Sequence, residues 1–291
     1  MIEQLSPVDQ LTYCTVRIVC ALPGGSSVGT GFMFNFLKDG QGRGLPCIVT
    51  NKHVIEGADV AEIVFHVDDG KGMPQEKYFR VITFDDLQSR VLRHPDPSVD
   101  LCAIPIGASI NQVHDETGEK MLFIHLDKNS LITTEMLGTL NAVEDVIMVG
   151  YPSGIWDKTN NLPVVRRGIT ASHPAKNFNG IREFLIDAAC FHGSSGSPVV
   201  LFNQSGYTTN DRKVHHSSRL ALLGVLYSGP ILTAQGDIKI VNVPTVQTKA
   251  IAVTQLTMNL GLVINADRIL ELEPQILELE KQFEQAKKPQ T

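Results

Sequence analysis

Between Tyr13 and Ile264 the chain is a succession of short β-branched and aromatic runs cut by Gly, Pro and Asn. Residues 15–19, 31–36, 48–50, 62–67 and 101–104 form one series, and residues 145–149, 183–187, 199–202, 220–227 and 238–241 form a second. Strands this short, separated by turn residues, predict an all-β sandwich or barrel protein rather than a helical or parallel α/β one. Residues 107–129 are polar and poorly periodic, which predicts a linker and divides residues 10–110 from residues 130–264. After Ile264 the pattern changes. Asn265 or Asp267 can cap a helix, and Pro274 suits the first turn of a second one. Ile276, Leu279, Phe283 and Ala286 then recur at three and four residues, giving residues 265–291 one apolar stripe. Such a helix either packs on its own barrel or offers a partner or dimer contact.

At 291 residues and 43% hydrophobic content the chain can bury a large core as one or two domains. Its net charge of −6, with no block of Lys or Arg, argues against a nucleic-acid or anionic-membrane surface. Arg166-Arg167 is the nearest thing to a basic cluster and is too small to hold a phosphate backbone. The amino terminus lacks a positive region followed by an apolar one, so no secretory signal is expected. The most apolar stretch, residues 220–234, is broken by Gly224, Ser228, Gly229 and Pro230, which suits two strands better than a bilayer helix. Five cysteines, at 14, 20, 47, 102 and 190, are an odd number without paired spacing. They predict a reducing, cytoplasmic location and no disulfide framework.

Chemistry concentrates in three places. Gly193-Ser194-Ser195-Gly196-Ser197-Pro198 lies between two apolar runs. A serine hydroxyl needs a base to take its proton, and its attack places negative charge on a carbonyl oxygen that needs donors. Glycines flanking Ser195 let the backbone bend and aim N–H groups at such an oxygen. Upstream, Thr50-Asn51-Lys52-His53-Val54 ends a β-branched run with a histidine. Ser98-Val99-Asp100-Leu101-Cys102-Ala103 sets an acid at the mouth of another apolar strand, where a carboxylate needs a partner. A histidine N–H is such a partner, and the carboxylate would fix the tautomer of the imidazole.

These three segments resemble the His, Asp and Ser blocks of trypsin/chymotrypsin-like serine peptidases. Gly29-Thr30-Gly31-Phe32-Met33 and Gly150-Tyr151-Pro152-Ser153-Gly154 bring the resemblance nearest the Deg-type bacterial branch, here without a PDZ-sized module. The resemblance covers residues 12–265 and implies two six-stranded, chymotrypsin-like β-barrels with a C-terminal helical extension. It implies a serine endopeptidase acting through an acyl-enzyme, with His53 as general base, Asp100 as its orienter, Ser195 as nucleophile, and the N–H groups of Gly193 and Ser195 as oxyanion hole. No cofactor or metal is implied. The alternative, from another class, is a protease-fold scaffold that binds polypeptide without turnover.

The resemblance also implies an extended polypeptide substrate lying along the edge of residues 224–229. Its specificity pocket would then be built from Leu226, Tyr227, Ser228 and Gly229, facing Ala189, Cys190 and His192. Ala189 stands six before the nucleophile, where trypsin-like members carry an acid, and Leu226 stands where glutamyl members carry a histidine, so the resemblance implies a small or medium uncharged P1 residue. Cys190 reads as a small buried hydrophobe or a redox-sensitive thiol, and His192 as a rim or solvent residue. Ser194 replaces the aspartate with which secreted zymogens capture a new amino terminus. An α/β-hydrolase is rejected by order, because it needs its acid and then its histidine after the serine. The only later histidines, His215 and His216, lie in residues 203–219, a predicted long hairpin loop, without a third metal ligand.

Overall fold

The fold is known from a computed structural model, which describes residues 2–39, 44–229, 231–237 and 251–287. The first unit contains Thr15–Leu22 (β1), Gly25–Phe36 (β2), Leu45–Thr50 (β3), Val60–Asp68 (β4), Pro74–Phe84 (β5), Leu92–Arg93 (β6), Cys102–Pro105 (β7) and Met121–Leu122 (β8). They hydrogen-bond in the order β5-β4-β1-β2-β3-β7-β6, with β8 added to β4. The second unit contains Asp145–Gly150 (β9), Val164–Thr170 (β10), Glu183–Asp187 (β11), Pro198–Asn203 (β12), Tyr207–Thr208 (β13), Val214–His215 (β14), Arg219–Ser228 (β15), Ile231–Asp237 (β16), Ile251–Thr257 (β17) and Leu260–Asn265 (β18). Six of these close a barrel in the order β10-β11-β18-β15-β12-β9, while β13/β14 and β16/β17 are separate hairpins. The architecture is an all-β, chymotrypsin-like pair of units with a C-terminal helix.

The expected six-strand count is met in the second unit, and the first adds the two-residue strands β6 and β8. Residues 107–129 are more than a linker. Gly107–Thr117 forms a helix that ends at Gly118 in a left-handed conformation (φ 75°), and β8 follows it back onto the first sheet. No residue of that helix is fully buried, which is why its sequence carries no strong period. The strand predicted at residues 238–241 lies outside the described residues.

One apolar core crosses the junction. Ile18, Phe32, Phe34, Ile48, Val49 and Ile104 from the first unit share a cluster with Ile147, Val149, Val200, Val225 and Ile264 from the second. Fixing each half therefore fixes the cleft between them.

The C-terminal segment ties the two units together a second time. A 3₁₀ stretch, Ala266–Leu272, leads into the helix Glu273–Lys287, and Ile269, Leu272 and Ile276 are wholly buried. Arg182, just before β11, pairs with Asp267 and Glu271. Arg268 pairs with Asp96 (3.0 Å) in the loop that leads to Asp100, and Gln275 Nε2 donates to the Arg93 carbonyl (2.8 Å). The outer half of the helix leaves the body, with Leu277 and Phe283 exposed.

Candidate active site

Strand pairing brings His53 and Asp100 together. Thr50, the last residue of β3, is paired with Cys102, the first of β7. His53, three residues past one, and Asp100, two before the other, thus emerge at the same end of an antiparallel pair. Asp100 Oδ2 lies 2.5 Å from His53 Nδ1, and the His53 backbone N–H donates to Asp100 Oδ1 at 3.1 Å. A carboxylate only accepts, so His53 Nδ1 is the donor and Nε2 stays outside this bond. Asn51, fully buried, donates from Nδ2 to the Asp100 carbonyl (2.7 Å) and fixes the same loop from below.

The serine turn belongs to the second unit but is fastened by the first. Gly193 (φ 82°) and Gly196 (φ 86°) both take the left-handed conformation that side chains disfavour. A Cβ at Gly193 would stand 2.5 Å from the Tyr151 carbonyl oxygen, and one at Gly196 would collide with the Thr30 carbonyl oxygen. Thr30 Oγ1 donates to the Gly193 carbonyl (2.7 Å) and accepts from the Tyr151 N–H (3.0 Å). The Thr30 N–H donates to the Ser195 carbonyl (2.9 Å), and Thr50 Oγ1 to the Thr30 carbonyl (2.7 Å). On the other side the Ser153 N–H donates to the His192 carbonyl at 2.5 Å. With the carbonyls of 192, 193 and 195 so occupied, the N–H groups of Gly193 and Ser195 make no bond among the described residues.

A cavity of about 290 Å³ opens between the halves, lined by His53, Ser195, Cys190, Phe191, His192, Leu226, Tyr227, Ser228, Gly229 and Leu260. Of the residues predicted for the pocket, Ala189 alone is not on its surface. Its carbonyl instead accepts from Arg166 Nη1. The Ser195 hydroxyl donates to the Tyr227 carbonyl at 3.3 Å and makes no bond to His53. The Tyr227 hydroxyl donates to buried Glu183 (2.6 Å), and burial together with that bond raises its pKa. Burial likewise pushes the Cys190 thiol up to about 11, which leaves it protonated at neutral pH. Among the described residues no cluster of three or more His, Cys, Asp or Glu is placed to hold a metal.

Sequence reasoning passed over Thr30, although its place between Gly29 and Gly31 marks a close backbone approach. It read Arg166 only as half of a small basic pair, because its contact with Ala189 depends on a strand register that no local pattern reports.

The sequence model of the trypsin-like peptidase domain matches residues 29–207, more than half of the chain. The chain belongs to the trypsin-like peptidase family. Among curated proteins none matches. Among solved structures, an HtrA-type protease, AlgW, with a tripeptide is similar at 16% identity over 94% of this chain and 63% of its own, with a TM-score of 0.48. The serine endoprotease of Yersinia pestis is similar at 14% identity over 93% of this chain and 65% of its own, TM-score 0.48. The Rv3671c protease of M. tuberculosis in its active form is similar at 14% identity over 92% and 83%, TM-score 0.44. The chain thus spans less than two thirds of the length of the first two.

Proposed function

We propose that this family member is a serine endopeptidase using Ser195, His53 and Asp100. The observation that carries the reading is the 2.5 Å His53–Asp100 contact on a cavity that His53 and Ser195 both line, beside a turn whose Gly193 and Ser195 N–H groups are unbonded. In the reaction, the Ser195 hydroxyl turns from the Tyr227 carbonyl to His53 Nε2 and loses its proton there as Oγ attacks the scissile carbonyl. The N–H groups of Gly193 and Ser195 receive the oxyanion, while Asp100 stabilises the imidazolium. His53 then protonates the departing amine, leaving an acyl-enzyme that water hydrolyses by the same steps in reverse.

The polypeptide would enter beside β15. Its β12 partner ends at the Pro198–Val225 pair, so Tyr227, Ser228 and Gly229 extend past it as a strand edge facing the cavity. A substrate strand can add there through main-chain bonds. A reducing, cytoplasmic setting is supported by the five cysteines, all free and buried.

A second reading, a protease-fold protein that binds peptide without turnover, is favoured by one observation, the Ser195–Tyr227 bond. Labelling with a fluorophosphonate separates the two. The endopeptidase reading expects covalent labelling of the wild type at Ser195, together with peptide cleavage. Absence of both, with peptide still bound, supports the scaffold.

A further inference from the structure

Strand β10 sends Arg167 outward, where it meets Asp145 at 3.0 Å. Its neighbour Arg166 points the other way. Arg166 Nη1 donates to the Ala189 carbonyl and Nη2 to Ser194 Oγ (2.8 Å). Its Nε is buried without a partner, and no carboxylate among the described residues pairs with it. Ala189 and Ser194 are the two ends of the segment whose middle, Cys190, Phe191 and His192, is one wall of the cavity. The guanidinium therefore lies directly behind that wall.

A largely buried guanidinium normally has a carboxylate partner, because a carbonyl and a hydroxyl leave its charge uncompensated. Burial lowers the pKa of Arg166, yet an arginine stays protonated at any physiological pH. No residue lining the cavity is acidic, and two, His53 and His192, are histidines. Two carboxylates are bonded to lining side chains and both are engaged, Glu183 with the Tyr227 hydroxyl and Asp100 with the His53 ring. Ala189 taken alone implies an uncharged pocket. The charge enters instead from β10, which no spacing around the serine reveals.

We infer that Arg166 is a specificity-determining residue, and that the side chain this cavity takes from the substrate is an acidic one, glutamate ahead of aspartate. The longer side chain is favoured because the charge lies behind the wall rather than on the surface. Attraction in a poorly solvated site acts before contact. This rests on the endopeptidase reading for the place of the cut, but not for the binding preference.

The test compares peptides that differ only at the residue before the cut: Glu, Asp, Gln, Leu and Arg. With the full wild-type chain, kcat/KM for Glu is expected to exceed that for Gln by about tenfold or more. Arg166→Met should erase that difference mainly through KM on the Glu peptide, leaving the Gln peptide within about threefold, and Arg166→Lys should keep part of it. An equal loss on every peptide in Arg166→Met would reduce Arg166 to a support of the 189–194 segment and overturn the inference. So would a wild-type preference for Gln, Leu or Arg, which needs no variant to fold. Binding of product peptides ending in Glu or Gln to Ser195→Ala gives a readout free of turnover. Tighter Glu binding without cleavage or labelling of the wild type would sink the endopeptidase reading and keep this one, whereas equal binding would sink this one alone.

Discussion

The two halves of the site are prepared to different degrees. In the first unit the proposed base and its acid are locked by the β3–β7 pairing, with Asp100 holding both the ring and the backbone N–H of His53. In the second, the serine turn has its backbone fastened by Thr30, yet its hydroxyl rests on the Tyr227 carbonyl and not on His53. The lesson is that backbone preparation and side-chain engagement are separable. The costly part, two left-handed glycines with the Gly193 and Ser195 N–H groups unbonded, is built in advance, and in the proposed reaction the hydroxyl has only to turn toward His53.

The largest effect should come from breaking the prepared half. Asp100→Asn keeps the shape but inverts the tautomer preference of His53, so kcat is expected to fall about 10⁴-fold with the thermal midpoint little changed. A loss below tenfold in a peptidase assay would show that the first half is not the active element.

Next comes the anchor of the second barrel. The buried Arg219–Glu144 pair (2.5 Å), with Arg219 lying over the Tyr207 ring, pins the residue 203–219 loop to the strand β9 side. Glu144→Ala strands the guanidinium and should cost about 3–5 kcal/mol in denaturant unfolding.

The contact between halves also titrates. His66 of β4 packs against Tyr13 and Phe79, and its Nε2 lies 3.1 Å from the Asn161 carbonyl of the second half. Burial lowers its pKa to about 4. As pH falls, the unfolded chain takes up this proton before the folded one does. Its contribution is therefore complete above about pH 6.5, and up to about 3 kcal/mol is lost as pH falls toward 4. Thermal unfolding of the wild type should show that slope, and His66→Phe should flatten it.

A smaller effect is expected from Thr30→Val, which deletes the hydroxyl that bridges Gly193 and Tyr151. Loss of about 1–3 kcal/mol of stability should accompany a slower fluorophosphonate reaction, measured as the labelling rate. Unchanged labelling would mean the serine turn holds its shape without help from the first unit.

How much of this was legible in the sequence depends on whether a feature is local. The strands β3, β9 and β12 and the three chemical segments announce themselves because each is a continuous apolar run ending in a distinctive turn. Strand β5 is hard to read because it is an edge strand whose first half is largely exposed, so apolar and polar residues do not alternate cleanly. The helix over residues 107–117 is hidden for the same reason, having no buried face. Arg219–Glu144 and Arg166–Ala189 are invisible because each joins residues that only strand register brings together.

The most direct measurement is intact-protein mass spectrometry after fluorophosphonate treatment of the wild type and of Ser195→Ala. One covalent adduct on the wild type, mapped to Ser195 and absent from the variant, is the result expected of a turn whose donors are already in place. An unlabelled wild type, or an adduct that persists in Ser195→Ala, would contradict Ser195 as the nucleophile.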